Sequence, residues 1–412
     1  MGTAHEKFFL GRQPILDRNQ EIIGYELLFR AAERNVAEFE SYSQASASVI
    51  TSALASFGID EVLGGKLGFI NVHLGLLLSE MLEVLPKEQT VLELLEFIEL
   101  DDQVLERCRE LKEIGFQLAL DDHEFDADNQ DIYDVVDIVK IDILQTGMEA
   151  LPEIVRGLRR TPVKILAEKV ETVEQFDVCF RMGFDLFQGY FFERPVVLNK
   201  RRIDVSGMAM LKLLQQLTMD ATLNEIEQTF KENPSLSYNL LRLVNSVAMG
   251  MREKIKTLRH AILMLGTEHL RRWTQLSLFA GNDNRGLNNP LLEMAAVRGR
   301  LMEILVKQRN GTVMSDEQSE AAFMTGILSL LEVLFETPMS EIIASLNLTD
   351  DVCNALLTRS GQLGSMLTLA EKLEVTDFDA VTPLLEECRV SLDQLLTAQL
   401  EAFNWRASIV AQ

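Results

Sequence analysis

Cysteine is sparse and scattered. Cys108, Cys179, Cys353 and Cys388 form no CxxC pair and have no histidine at zinc-finger spacing. A structural zinc site is not expected, and buried free thiols in a reducing, cytoplasmic compartment are. Positive charge is also scarce, with 39 Lys and Arg against 63 Asp and Glu, a formal net charge of −24. Residues 1–200 carry 37 acidic and 19 basic side chains, the remainder 26 and 20. Neither half has the cationic surplus that releases counterions from a nucleic-acid polymer, so no such partner is expected. No apolar run reaches the ~18 residues of a membrane span, and the opening MGTAHEKFFLGRQP lacks a signal-peptide core. Glu6 stands where a myristoylation signal has Ser or Thr. Neither a membrane nor lipidation is expected.

What is present is a chain of 412 residues, long enough for two domains, with 47% hydrophobic and 25% charged residues. Up to residue ~196, short β-like runs alternate with helical ones. Strands are predicted at 8–15, 21–29, 67–73, 90–97, 116–121, 136–142, 163–168 and 184–191. Amphipathic stretches fall near 43–57, 101–114, 149–159 and 171–182. Alternation of this kind implies a parallel α/β barrel with its functional residues at the strand C-termini. The first two strands flank Asp-Arg-Asn-Gln, a turn rather than a crossover, so at least one strand is antiparallel and the TIM-like barrel is irregular. Residues 197–205 read as a linker, and 206–412 as an all-helical domain in which strand patterns disappear. Residues 281–290 form its longest polar loop.

Polar residues sit in or just after the apolar runs of the first domain: Glu26, Asn71, Glu93, Glu96, Asp121, Asp122, Lys140, Asp142, Glu168 and Gln188. Glu26, Asn71, Glu93 and Asp121 are hard oxygen donors suited to Mg²⁺ or Mn²⁺, and Asp122 could reach a second ion. Lys140 lies in the apolar run DIVKIDI, where an unpaired ammonium is costly, so it should face the acidic centre and hold the attacking hydroxide or the phosphoryl oxygens. Glu168 is the candidate general base, and the planar fork of Arg30 suits a phosphate. Each position also has a plainer explanation. A strand-end carboxylate is commonly solvated, Lys140–Asp142 could be a structural ion pair, and Glu93/Glu96 could be the exposed residues of a helix turn. The joint pattern favours a site.

Residues ~8–196 resemble the EAL domain, the family of cyclic-di-GMP phosphodiesterases. Gln13-Pro14-Ile15 matches the family's Gln-Pro entry, and Glu26-Leu27-Leu28 its Glu-Ala-Leu signature. Asn71, Glu93/Glu96, Asp121-Asp122, Lys140-Ile141-Asp142, Ala167-Glu168-Lys169-Val170-Glu171 and Gln188-Gly189-Tyr190 follow in the family's order. The resemblance implies that Glu26, Asn71, Glu93, Asp121 and Asp122 ligate two Mg²⁺ or Mn²⁺ ions. It implies that Lys140 and Glu168 are catalytic, that Gln13, Arg30 and Gln188 face substrate, and that Glu96 anchors the loop after Asp122. Two positions depart from the pattern: His123-Glu124-Phe125-Asp126 replaces Phe-Gly and a glycine-rich loop, and Lys169 replaces a glycine.

Residues ~200–412 resemble the HDOD domain through LRHAILMLGTEHLRRW (258–273) and FMTGILSLLEVLFETPM (323–339). No His-Asp dipeptide occurs, so the metal site of HD phosphohydrolases is not expected there; His260 and His269 read as packing or capping residues. The expected function is metal-dependent hydrolysis of cyclic-di-GMP to the linear dinucleotide, coupled through HDOD to a protein partner that the sequence does not name. A non-catalytic cyclic-di-GMP receptor signalling through HDOD is the alternative, favoured by the rewritten loop. A homodimer is left open.

Overall fold

The computed structural model describes residues 8–31, 62–122, 130–190, 205–233, 236–237, 239–240, 244, 257–280, 289–308, 316–335, 337–344, 346 and 348–410. The predicted helix at 43–57, the loop at 123–126 and most of the linker and the 281–290 loop lie outside them.

Eight strands close a barrel in sequence order: β1 Phe8–Asp17, β2 Ile22–Ala31, β3 Leu67–Val72, β4 Thr90–Leu94, β5 Gln117–Leu120, β6 Ile138–Asp142, β7 Lys164–Glu168 and β8 Leu186–Gln188. The expected hairpin is present. β1 runs antiparallel to both β2 and β8, and every other neighbouring pair is parallel. The turn is fixed by Asp17, whose carboxylate accepts from the backbone N–H groups of Asn19 and Glu21 at 2.8 and 2.9 Å. Gln20 adopts a positive φ of 59° within it. β4 is shorter than predicted. It ends at Leu94 and the chain turns, so Glu96 is exposed beyond the strand.

Period-two alternation sorts the inward residues into layers. Ile15, Phe69, Val91, Ala119, Ile138, Leu166 and Leu186 form a buried apolar cluster that plugs the barrel. Gly24 belongs to the same level. A Cβ there would lie 2.9 Å from the Phe69 ring and 2.8 Å from the Leu67 carbonyl, so the ring takes the space. Two residues further along each parallel strand come Glu26, Asn71, Glu93, Asp121, Lys140, Glu168 and Gln188. On antiparallel β1 the equivalent residue is two positions earlier, Gln13. An apolar floor thus carries a polar layer at the C-terminal ends of the parallel strands.

By internal contact the chain divides into two units. One is Met1–Arg194 with Glu371–Pro383 and Ser391–Phe403; the other is Pro195–Ala370 with Leu384–Val390 and Asn404–Gln412. The barrel unit thus takes in two segments from the far C-terminus. Within that unit Phe378 stacks on Phe9 at 5.4 Å between ring centroids, and Gln399 Nε2 donates to the Leu10 carbonyl at 3.1 Å. The Arg12 guanidinium lies 3.8 Å above the Phe403 ring.

The other unit is built of helices, with no strand among its described residues. Helices Pro290–Gln308 and Asp316–Leu328 approach closely at two glycines, because a Cβ on Gly326 would lie 2.6 Å from the Cα of Gly299. Leu258–Ala280 breaks at Gly266, which has a φ of 76°. His260 and His269 are exposed rather than packed, and Trp273 stacks on Phe230. Glu317–Phe335 is long and apolar enough to cross a membrane by composition, and 61% of that stretch is buried inside the fold, as in a core helix. All four cysteines are free, with Cys108, Cys179 and Cys388 buried. Burial pushes the Cys108 thiol up to about 12 and that of Cys179 to about 11, which leaves both unreactive.

Candidate functional site

β6 delivers Lys140 into the centre of the polar layer, where its side chain is 1% exposed. Four carboxylates surround its ammonium: Glu168 and Asp121 at 2.7 Å, Glu93 at 2.8 Å and Glu26 at 3.6 Å. They arrive from β7, the end of β5, β4 and β2. Glu26 is held further, since Asn71 Nδ2 donates to its Oε1 at 2.9 Å and Gln188 Nε2 to its Oε2 at 2.6 Å. Gln188 Nε2 also meets Gln13 Oε1 at 2.7 Å, and Gln13 Nε2 donates to the Tyr190 hydroxyl at 2.8 Å. Tyr190 donates in turn to the Glu374 carbonyl at 3.0 Å, within the barrel unit.

One ammonium cannot satisfy four buried carboxylates, and their proton affinities record the conflict. Burial raises Glu93 well above the carboxylate range; Lys140 opposes the rise, while Glu26 and Asp121 reinforce it. Burial lifts Glu168 to about 8, against Lys140 and with help from Asp121 and Glu26. Asp121 is raised by burial, in part offset by Lys140. For Glu26 the burial effect is outweighed by the Lys140 charge and the hydrogen bonds from Gln188 and Asn71, so its carboxyl is lowered. Lys140 itself is raised, because the carboxylates overcome the cost of burying its charge.

Several hard oxygens in this layer have no hydrogen-bond partner despite burial: Asn71 Oδ1, both oxygens of Glu93, Asp122 Oδ1 and Gln188 Oε1. Glu93 Oε1 has the Lys140 ammonium as an ion-pair partner at 2.8 Å, which leaves Oε2 as the clearer deficit. Orphaned buried oxygens are costly, and excess negative charge more so. Among the described residues no group of three His, Cys, Asp or Glu side chains is arranged as a ready metal cage; the carboxylates converge on Lys140 instead. The donor set is nonetheless all-oxygen and underneutralised, which fits a hard divalent cation.

At the mouth, Asp142 caps the short helix Ile143–Thr146, accepting from Leu144 N and Gln145 N at 2.8 and 3.0 Å, and also accepts from Lys169. Burial would raise Asp142, but the Lys169 hydrogen bond and the two backbone donors lower it. Lys169 lies 3.9 Å from Asp122 Oδ2. Both residues hold left-handed backbone, with φ of 54° and 42°. That conformation costs a side-chain-bearing residue about 1–2 kcal/mol and explains why a glycine suits position 169.

The structure therefore gathers Glu26, Asn71, Glu93, Asp121, Lys140, Glu168, Gln188 and Gln13, with Asp122 at the rim. It does not bring in every predicted residue. Arg30 pairs with Asp379 at 2.6 Å, and no contact among the described residues joins it to the carboxylates. Glu96 is exposed in the turn after β4, and the loop it was expected to anchor lies outside the described residues. Tyr190 stands in the sequence only as the end of Gln188-Gly189-Tyr190; its hydroxyl's reach to Gln13 follows from the antiparallel seam between β1 and β8, which a linear pattern does not display.

Comparison with known proteins places two domain families along the chain. Residues 74–195 match the EAL domain and residues 207–335 the HDOD domain. The first match begins after β3, whereas the barrel also draws Gln13, Glu26 and Asn71 from β1–β3 into the site. The chain is 30% identical over 405 residues to cyclic di-GMP phosphodiesterase CdgJ of Vibrio cholerae serotype O1, spanning 97% of this chain and 93% of that protein. It is 28% identical over 407 residues to the protein YuxH of Bacillus subtilis (strain 168), spanning 97% and 98%. The solved Bacillus subtilis YkuI protein, with an EAL domain, in complex with c-di-GMP and calcium, aligns at a TM-score of 0.39 and 20% identity over 65% of this chain and 72% of its own. The chain belongs to the family of proteins that join an EAL domain to an HDOD domain.

Proposed function

We propose that the barrel hydrolyses cyclic-di-GMP to the linear dinucleotide with the help of divalent Mg²⁺ or Mn²⁺, and that the HDOD part passes the state of the site to a protein partner. The observation that carries this reading is the buried layer in which Glu26, Glu93, Asp121 and Glu168 face Lys140. The name of the relative CdgJ supports the substrate. Glu26, Asn71, Glu93, Asp121 and Asp122 would hold the cation. Such a cation, when bound, polarises a phosphoryl oxygen and makes water a better nucleophile.

The rest of the chemistry belongs to the chain. Glu168, with a carboxyl lifted to about 8, lies in the range where a group takes and returns protons near neutrality, and it is the base for the attacking water. Lys140 stays charged through the reaction, since its carboxylate neighbours hold its proton. It steadies negative charge on the phosphoryl oxygens as the bond to the leaving oxygen breaks. Gln188 and Gln13 orient Glu26 and line the approach to it. The apolar floor keeps water from the other side of the layer.

Glu168→Gln tests the assignment, as it keeps the shape and removes the base. Turnover should fall by about 10²–10⁴ while nucleotide binding persists. Unchanged turnover in this variant would remove Glu168 from the mechanism. For the HDOD part, partner recovery from nucleotide-loaded and empty full-length protein should differ, and equal recovery would count against coupling.

A further inference from the structure

We infer that Lys169 is a built-in cation that takes the second metal position, so that the site binds one divalent ion rather than the two the sequence leads one to expect. The inference rests on the reading of the barrel as a divalent-cation site. Beyond the inner carboxylates around Lys140, the layer has an outer acidic pair, Asp122 and Asp142. Asp142 lies two residues beyond Lys140 on the same strand and so on the same inward face. Asp122 is the residue that the sequence assigns to a second ion, and Asp142 is the carboxylate that faces the same Lys169 ammonium.

That pair already has a cation. The Lys169 ammonium donates to Asp142 Oδ2 and lies 3.9 Å from Asp122 Oδ2. Asp142 is engaged on its other oxygen by the N–H groups of Leu144 and Gln145. Asp122 keeps one buried oxygen, Oδ1, without a partner, which suits a ligand to the single remaining ion. A dication brought to the outer pair would stand within a few ångströms of an ammonium, and that repulsion is unfavourable at any protein dielectric. The backbone points the same way. Lys169 holds a φ of 54°, where glycine would be unstrained, so its side chain reaches the acidic pair at a backbone cost.

Titration of metal-free, full-length protein with Mn²⁺, read by calorimetry and by electron paramagnetic resonance, tests the inference without reference to activity. The wild type should bind one Mn²⁺ per chain with the spectrum of an isolated ion. Lys169→Gly, which also relieves the backbone, and Lys169→Met, which keeps the stem and removes the charge, should each bind two and show an exchange-coupled pair. Lys169→Arg should stay at one. Two ions in the wild type, or one in both uncharged variants, would overturn the inference and leave the metal-site reading standing. No Mn²⁺ bound by the wild type would overturn the metal-site reading itself, and this inference with it.

Discussion

Lys140 is the residue on which the polar layer depends. Replacing it with methionine keeps the volume but leaves Glu26, Glu93, Asp121 and Glu168 without their shared counter-charge. Removing one partner from a buried ionic cluster typically costs about 3–5 kcal/mol. Urea unfolding of Lys140→Met at pH 8 without metal should show a loss of this order, shrinking at pH 5 where the carboxyls can protonate. Equal stability at both pH values would contradict the central role of the ammonium. Glu168 gives a second residue-scale expectation. Its folded carboxyl keeps a proton up to about 8, whereas the ordinary value is 4.5, so between these the folded state binds more protons than the unfolded. The Glu168 contribution to the stability of the metal-free protein is therefore full below about pH 4.5 and is lost as pH rises through 8. Thermal midpoints in chelator should fall from pH 6 to pH 9, and Glu168→Gln should flatten that slope without abolishing it, since Glu93 is also raised. A wild-type midpoint that does not fall would contradict the assignment.

At the scale of elements, strand ends position the chemistry, and glycines make the close approaches possible. Gly189 follows β8 at a φ of 144°, and a Cβ there would lie 2.1 Å from the Val170 carbonyl oxygen. Beside it, Val170 N donates to the Gln188 carbonyl at 3.0 Å and clasps β7 to β8. Gly189→Ala should push the two strand ends apart, cost about 2 kcal/mol or more in urea unfolding, and loosen the Gln188 hold on Glu26. Wild-type stability in that variant would show that the clasp does not matter. All eight strands were legible in the sequence because each pairs a short apolar run with a polar residue at its end. The inward set could be read too, since Val91 and Glu93, or Ile138 and Lys140, stand two apart. Where β4 stops was not legible: Leu94-Leu95-Glu96 continues the strand-like pattern, yet the chain turns after Leu94. Nor was the partner of Arg30 legible, since Asp379 lies 349 residues away. Lys169 could be seen as a departure from a glycine, but its reach to Asp142 depends on the left-handed backbone that only the fold displays.

For the whole molecule, the barrel unit is not a simple N-terminal half. Glu371–Pro383 and Ser391–Phe403 group with it, through contacts such as Phe378 on Phe9 and Gln399 on Leu10. A chain ending at residue 196 would expose Phe9 and leave the Leu10 carbonyl without that donor. It should unfold at a lower urea concentration than the barrel in the full chain, or without cooperativity. A truncated barrel as stable as the intact one would show these segments to be dispensable. That two domain families meet in this chain was legible from its motifs and from the loss of strand patterns after residue 196. The return of the C-terminus to the barrel unit was not, because its helices carry the same amphipathic signal whichever surface they cover. The central claim, that the layer around Lys140 is a working phosphodiesterase site, is tested most directly by incubating the purified full-length protein with cyclic-di-GMP and Mn²⁺ and separating the products by chromatography. The account predicts linear dinucleotide in the presence of metal, and none in chelator or with Glu168→Gln. Tight nucleotide binding with no linear product from the wild type would contradict it and identify the barrel as a receptor.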